Sequence, residues 1–182
     1  MDETDNRPRF EAVYRRTYEQ IFGYAMRRCS SAEDAADVVA ETYVIAWRRM
    51  DELPHGEAGT LWLYGVARRV LANHRRGERR RATRHAELTA EAESHYPATS
   101  PLSGPDEVRQ AMDTLSDDDR ELLALAIWEE LDSGQIAEVL GCSRNAARVR
   151  LHRARKRFAK ALKKIRPTVC VEARTLIEKE SR

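Results

Sequence analysis

Asn145, Arg148, Val149, His152 and Arg155 fall three and four residues apart, with Ser143 and Arg144 directly ahead of them. A helix would carry most of them along one side. Asparagine pairs bidentately with adenine, and arginine with guanine, in the major groove of duplex DNA. The chemistry on offer is therefore recognition of bases, with no reaction implied.

Such a helix needs a partner to hold it. Ile136, Ala137 and Leu140 fall at i, i+1 and i+4 and predict one short helix. Gly141 permits the left-handed backbone that ends it, and Ser143 can cap the next. In the second helix Ala147, Leu151, Ala154 and Phe158 make a narrow apolar stripe opposite the polar set. Helix, glycine turn, cap and basic helix together predict a helix-turn-helix.

The chain of 182 residues has a net charge of only +2, but its charge is segregated. Arg68–Arg84 holds eight arginines against one acid, and Arg144–Arg166 eleven Lys/Arg against none. These stretches hold nineteen of the 32 bases and one of the 30 acids, which points to a polyanionic partner. The remainder is acidic and free to meet a basic one.

Cys29, Cys142 and Cys170 have no zinc-ligand spacing, and five scattered histidines lack carboxylates at catalytic or metal spacing. No catalytic residue, metal or cofactor is expected. The acidic start, Met1-Asp-Glu-Thr-Asp-Asn6, is unlike a signal peptide, and the apolar run Leu122–Trp128 is too short to span a bilayer. A cytoplasmic protein with no membrane insertion is expected.

Further elements precede the reader. Phe10, Val13, Tyr14, Tyr18, Ile21, Phe22 and Ala25 predict a helix with these residues in the core. Ser30-Ser31 breaks it and caps the next, whose first turn carries Glu33 and Asp34. In that helix Val39, Tyr43, Ala46 and Met50 face inward. Asp37, Glu41, Val44 and Arg48 lie opposite, with Trp47 to one side. A valine among carboxylates on an outward face suggests a protein-docking surface. After the loop 51–59, Thr60–Arg76 interleaves aromatics with arginines. Leu63, Val66, Ala67, Val70 and Leu71 can pack inward. Trp62, Tyr64, Arg68, Arg69, Asn73, Arg75 and Arg76 could stack on unpaired bases and hold phosphates, as grips on single strands do. Core packing is the competing role for Trp62 and Tyr64.

The composition divides the chain. Residues 8–81 and 106–166 are helical, with no strand pattern. Residues 82–105, with three prolines in Glu93–Pro105, read as a flexible linker. The tail 167–182 is open between a short helix and a frayed end. The expected class is all-α, with two small helical domains.

Across both blocks the chain resembles the extracytoplasmic-function group of the bacterial sigma-70 family. Ala32–Trp47 is similar to region 2.2 and Trp62–Arg76 to region 2.3 running into 2.4. Leu115–Leu125 is similar to region 4.1, and Ile136–Ser143 with Arg148–Arg155 to region 4.2. The resemblance implies a region 2 helical bundle and a region 4 helix-turn-helix. It implies a promoter-specificity subunit that binds core RNA polymerase and directs initiation. Asp37, Val38, Glu41, Val44, Trp47 and Arg48 would then dock on the clamp coiled coil of the largest subunit, and the flap is a second expected polymerase contact. The Trp62–Arg76 set would open and read the −10 element, and the Ser143–Arg155 set the −35 element. An anti-sigma factor is an expected partner. Ala40 departs from the usual Gln, Arg69 from Asn, Asn73 from Asp, and Ala146-Ala147 from Thr-Val, so no promoter sequence is carried over. The alternative from the residues is a stand-alone helix-turn-helix regulator; a nucleic-acid enzyme lacks a constellation to support it.

Overall fold

A computed structural model of the protein describes residues 3–88 and 106–165, with side chains from 6–77 and 106–165. Seven helices and no strand form there. They are α1 (Glu3–Met26), α2 (Ala32–Arg48), α3 (Glu57–Leu88), α4 (Asp106–Asp113), α5 (Asp117–Ile127), α6 (Ser133–Leu140) and α7 (Arg144–Ile165). The all-α expectation is met. No helix among the described residues is long and apolar enough to cross a membrane.

The chain divides into two compact units. The first is built on α1–α3, packed pairwise on one another. Its core joins Ile21, Tyr24 and Ala25 of α1, Val38, Val39 and Ala46 of α2, and Leu63, Ala67 and Val70 of α3. One buried polar chain ties α1 to α2. Thr17 donates its hydroxyl hydrogen to the Val13 carbonyl at 2.7 Å, so the Tyr43 hydroxyl, 2.8 Å away, must be the donor to Thr17 Oγ1. Burial, the first cause, pushes the Tyr43 phenol up to about 12.

The α2–α3 loop is held from α1. Arg9 donates to the carbonyls of Met50, at 3.1 Å, and Leu53, and Arg16 donates to that of Gly56 at 3.2 Å. A Cβ at Gly59 would lie 2.6 Å from the Pro54 carbonyl oxygen, so only glycine lets α3 start so close to the loop.

The second unit contains α4, α5, α7 and most of α6. α4 and α5 both pack on α7, and Met112, Leu122, Leu123 and Leu125 are buried with Ala147, Leu151 and Ala154. Ser116 caps α5 by accepting from the Asp119 amide at 3.2 Å.

Two boundaries differ from those read in the sequence. α1 begins at Glu3, ahead of residue 8, and runs through Pro8. α3 continues to Leu88, seven residues into the predicted linker. The stretch Ala82-Thr-Arg-His-Ala-Glu-Leu88 is rich in good helix formers, so an established helix propagates through it. The rest of the predicted linker, 89–105, and the tail, 167–182, lie outside the described residues.

Candidate functional site

The helix-turn-helix forms as its residues predict. Gly141 has φ +64°. Its amide bonds to the Glu138 carbonyl at 3.2 Å while the Cys142 amide bonds to that of Ala137 at 2.9 Å, the paired closure of a glycine-terminated helix. Ser143 then accepts from the Ala146 amide at 3.2 Å and opens α7. α6 has a device the sequence reading missed. Asp132 Oδ1 accepts from the amides of Gly134 and Gln135, and Gln135 Oε1 accepts from the Asp132 amide at 2.8 Å. This reciprocal cap was legible as Asp-x-x-Gln. The amides of Gln135, then Gly134, hold the Asp132 carboxyl below its ordinary value.

On α7 the apolar stripe is buried at Ala147, Leu151 and Ala154 and half-buried at Phe158. Ser143, Arg144, Asn145, Arg148, Val149, His152 and Arg155 are all exposed. Arg148 Nη2 donates to Asn145 Oδ1 at 3.0 Å, so two candidate readers brace one another one turn apart. Other arginines of α7 turn aside. Arg150 pairs with Asp118 at 3.5 Å, and Arg157 with the buried Asp119 at 2.7 Å.

α3 divides the second candidate set. Trp62, Arg69, Asn73 and Arg76 fall within about 60° of arc at 100° per residue and extend over about 21 Å of helix. Arg69, Asn73 and Arg76 are exposed and Trp62 is half-buried. The Arg49 guanidinium stands 5.4 Å from the Trp62 ring centroid, and Arg76 donates to Asn73. Arg68 and Arg75 lie on a flank, where Arg75 donates to the Arg28 carbonyl at 3.1 Å. Tyr64 corrects the reading that placed it among contacts. It is 4 % exposed, with its ring 5.2 Å from that of Tyr24. α3 packs on both α1 and α2, so its buried arc is wide enough to take Tyr64 in.

α2 presents Asp37, Glu41, Val44 and Arg48 together on its outer face, all exposed, with Val44 the one large apolar residue of the helix that is exposed. Trp47 lies at the flank, 5.2 Å edge-on from Phe10. Val38 corrects a second assignment: it is buried in the bundle. Tyr14 and Tyr18, expected in the core, are exposed, and their rings stand 5.1 Å apart on the shoulder of α1.

The sequence reading also missed a pair linking α2 to α3. His74 Nε2 lies 3.6 Å from Asp34 Oδ1, across forty residues of chain. The Ser31 hydroxyl is the first cause that holds the Asp34 carboxyl below its ordinary value, aided by Ser30 and by His74. Among the described residues no group of three or more His, Cys, Asp or Glu side chains could hold a metal ion.

A helical bundle with an aromatic and basic face, and a helix-turn-helix with a basic reading face, define a two-part nucleic-acid-binding protein of transcription. The model of sigma-70 region 2 matches residues 13–81 and that of sigma-70 region 4 matches 106–158, together about two-thirds of the chain. The chain belongs to the sigma-70 family and is an RNA polymerase sigma factor of the extracytoplasmic-function group. It is 28% identical over 166 residues to the RNA polymerase sigma factor YlaC of Bacillus subtilis, covering 88% of this chain and 96% of that one. It is 28% identical over 157 residues to the ECF RNA polymerase sigma factor SigL of Mycobacterium tuberculosis, covering 79% and 85%. Two solved structures share the fold. One is the sigma factor RpoE in complex with the anti-sigma factor NepR from Bartonella quintana (TM-score 0.56, 24% identity, 87% and 97% covered). The other is CnrH in complex with the cytosolic domain of CnrY (TM-score 0.60, 21% identity, 88% and 91% covered).

Proposed function

We propose a division of labour within this sigma factor. The bundle of α1–α3 docks on core RNA polymerase and handles the −10 element, 106–166 read the −35 element, the part of 82–105 that follows α3 tethers the two, and 167–182 form a tail. Docking uses Asp37, Glu41, Val44 and Arg48, with Trp47 at the edge. The acids face a basic coiled coil and Val44 supplies the apolar contact. Trp62 stacks on an unpaired base of the opened −10 strand while Arg69, Asn73 and Arg76 follow its backbone, with Arg68 and Arg75 adding charge from the flank. Arg148 and Asn145 read base edges of the −35 duplex, supported by Ser143, Arg144, Val149, His152 and Arg155. Val38 and Tyr64 serve from the core.

The observation that carries this reading is the sorting of faces. The four outward residues of α2 share one arc, and so do Trp62, Arg69, Asn73 and Arg76 on α3. The chain acts as a specificity subunit in the cytoplasm and catalyses no reaction of its own. An anti-sigma factor holds it inactive; the two fold relatives were each solved with such a factor or partner domain bound. Run-off transcription with core polymerase on fragmented genomic DNA tests the whole. A discrete set of start sites that requires the chain supports it. Binding of a duplex operator by a dimer that ignores polymerase would instead mark a stand-alone regulator.

A further inference from the structure

α7 continues well past the residues that can read bases, and two sets of its cations differ in their partners. Arg150 and Arg157 are paired with Asp118 and Asp119 of α5. Lys156, Lys160 and Lys163 are exposed, and no described acid lies within ion-pair distance of them. With Lys164 and Ala159 they occupy one side of the last turns of α7. At 100° per residue Asn145, Val149, His152, Lys156, Lys160 and Lys163 fall within about 80° of arc, so the lysines prolong the reading face itself. From Asn145 to Lys163 that face is about 27 Å long at 1.5 Å per residue. The major groove is only about 12 Å wide, so a helix whose first turns reach base edges carries its later turns out over the groove wall. That wall is the sugar–phosphate backbone.

We propose that Lys156, Lys160 and Lys163 form a second, sequence-independent DNA contact, a lysine track on the phosphates beside the base-reading turns. The inference rests on the proposed −35 reading of α7 and adds a partner chemistry for its C-terminal half. Lysine suits the task, being a compact charge on a flexible stem that follows a phosphate without demanding one orientation. The paired arginines hold the helix against α5 while the lysines stay available to exchange counterions with DNA. The track anchors the helix on any duplex, and Arg148 and Asn145 choose among duplexes.

The test uses the full chain and a mixed-sequence 30-bp duplex, with affinity measured across a salt series. Removing one lysine–phosphate pair lowers the slope of log affinity against log salt by about 0.9, so the triple variant K156Q/K160Q/K163Q should lose about 2.7 from it. The triple Lys→Arg variant should keep the slope. All three positions are exposed, and unchanged helicity by circular dichroism confirms the fold of each variant. An unchanged slope in the Gln variant, or no binding of the wild-type chain to this duplex, overturns the inference. So does an unchanged slope joined to weakened association with core polymerase, which would identify an acidic protein surface as the partner. Core-dependent run-off transcription by the wild-type chain is read in parallel. Intact transcription with an unchanged slope removes the lysine track alone. A lowered slope without core-dependent transcription removes the initiation role and leaves the track.

Discussion

Arg157 Nη1 lies 3.0 and 2.7 Å from the two carboxylate oxygens of Asp119, a bond from α7 to the first turn of α5. Asp119 is 6 % exposed, whereas the Arg157 side chain is mostly in water. The two truncations are therefore unequal. Arg157→Ala strands a buried carboxylate and should destabilise the second unit by about 1–2 kcal/mol. Asp119→Ala returns a guanidinium to solvent and should cost less. Amide exchange along α5 and α7 in the full chain measures both. Equal losses would show that leaving the buried carboxylate unpaired carries no extra cost.

The face on α2 predicts a separation of functions. Asp37→Arg with Glu41→Arg reverses two exposed charges without touching the core. Assembly with core polymerase should be lost in a pull-down, while affinity for duplex DNA persists. Retained holoenzyme assembly would remove α2 from the docking surface.

Much of this was legible because one helix against one partner leaves a simple periodic trace. Ala147, Leu151 and Ala154 gave away the buried side of α7, and Gly141 with Ser143 marked the turn. The outward set on α2 could be read by the same rule. The errors fall where a helix packs on two others. Val38 and Tyr64 lie beyond the arc that one partner would bury, yet a three-helix bundle encloses both. Tyr14 and Tyr18 show the converse, since each fits the helical period but falls on the shoulder of the packed face. The pair of Asp34 and His74 was invisible because nothing local relates residues so far apart in sequence.

Trp62 and Tyr64 sit two residues apart and should fail differently. Tyr64→Ala empties a core position, with an expected cost of about 3–5 kcal/mol of stability. Trp62→Ala removes a half-buried ring at the edge of the bundle and should cost less stability than Tyr64→Ala. Its effect should fall on strand opening, at about 1–3 kcal/mol for one stacked base. Permanganate reactivity of promoter thymines in the holoenzyme, set against urea denaturation of the full chain, separates the two. Normal opening by the Trp62 variant would exclude it as a stacking platform.

The cap of α2 carries a pH dependence. Ser31 accepts from the Asp34 amide at 3.0 Å and donates back to Asp34 Oδ2 at 2.6 Å. The folded protein holds Asp34 below its ordinary value of 3.8, so the unfolded chain takes up the proton first as pH falls. The contribution of Asp34 to stability is present above pH 3.8 and is lost as pH drops through its lower folded value. Asp34→Asn should therefore be less stable than wild type at pH 7, with the gap closing in acid. Ser31→Ala should cost about 1 kcal/mol through the missing cap. Urea denaturation at the two extremes of pH checks both, and a gap that widened in acid would reverse the sign argued for Asp34.

Arg148 carries the sharpest prediction for recognition because its charge and its geometry can be removed separately. Its bond to Asn145 Oδ1 holds the guanidinium one turn from the start of α7, beside the exposed amide of Asn145. If its planar fork reads a base, Arg148→Ala should cost about 1–3 kcal/mol of discrimination between the cognate upstream element and a random duplex. Arg148→Lys restores the charge without the fork and should recover affinity for random duplex but not the discrimination. Competition binding by the holoenzyme, with promoter and random duplex in the same reaction, reads the ratio directly. If lysine restored the ratio as well as the affinity, Arg148 would be a phosphate contact, and the burden of base reading would pass to Asn145.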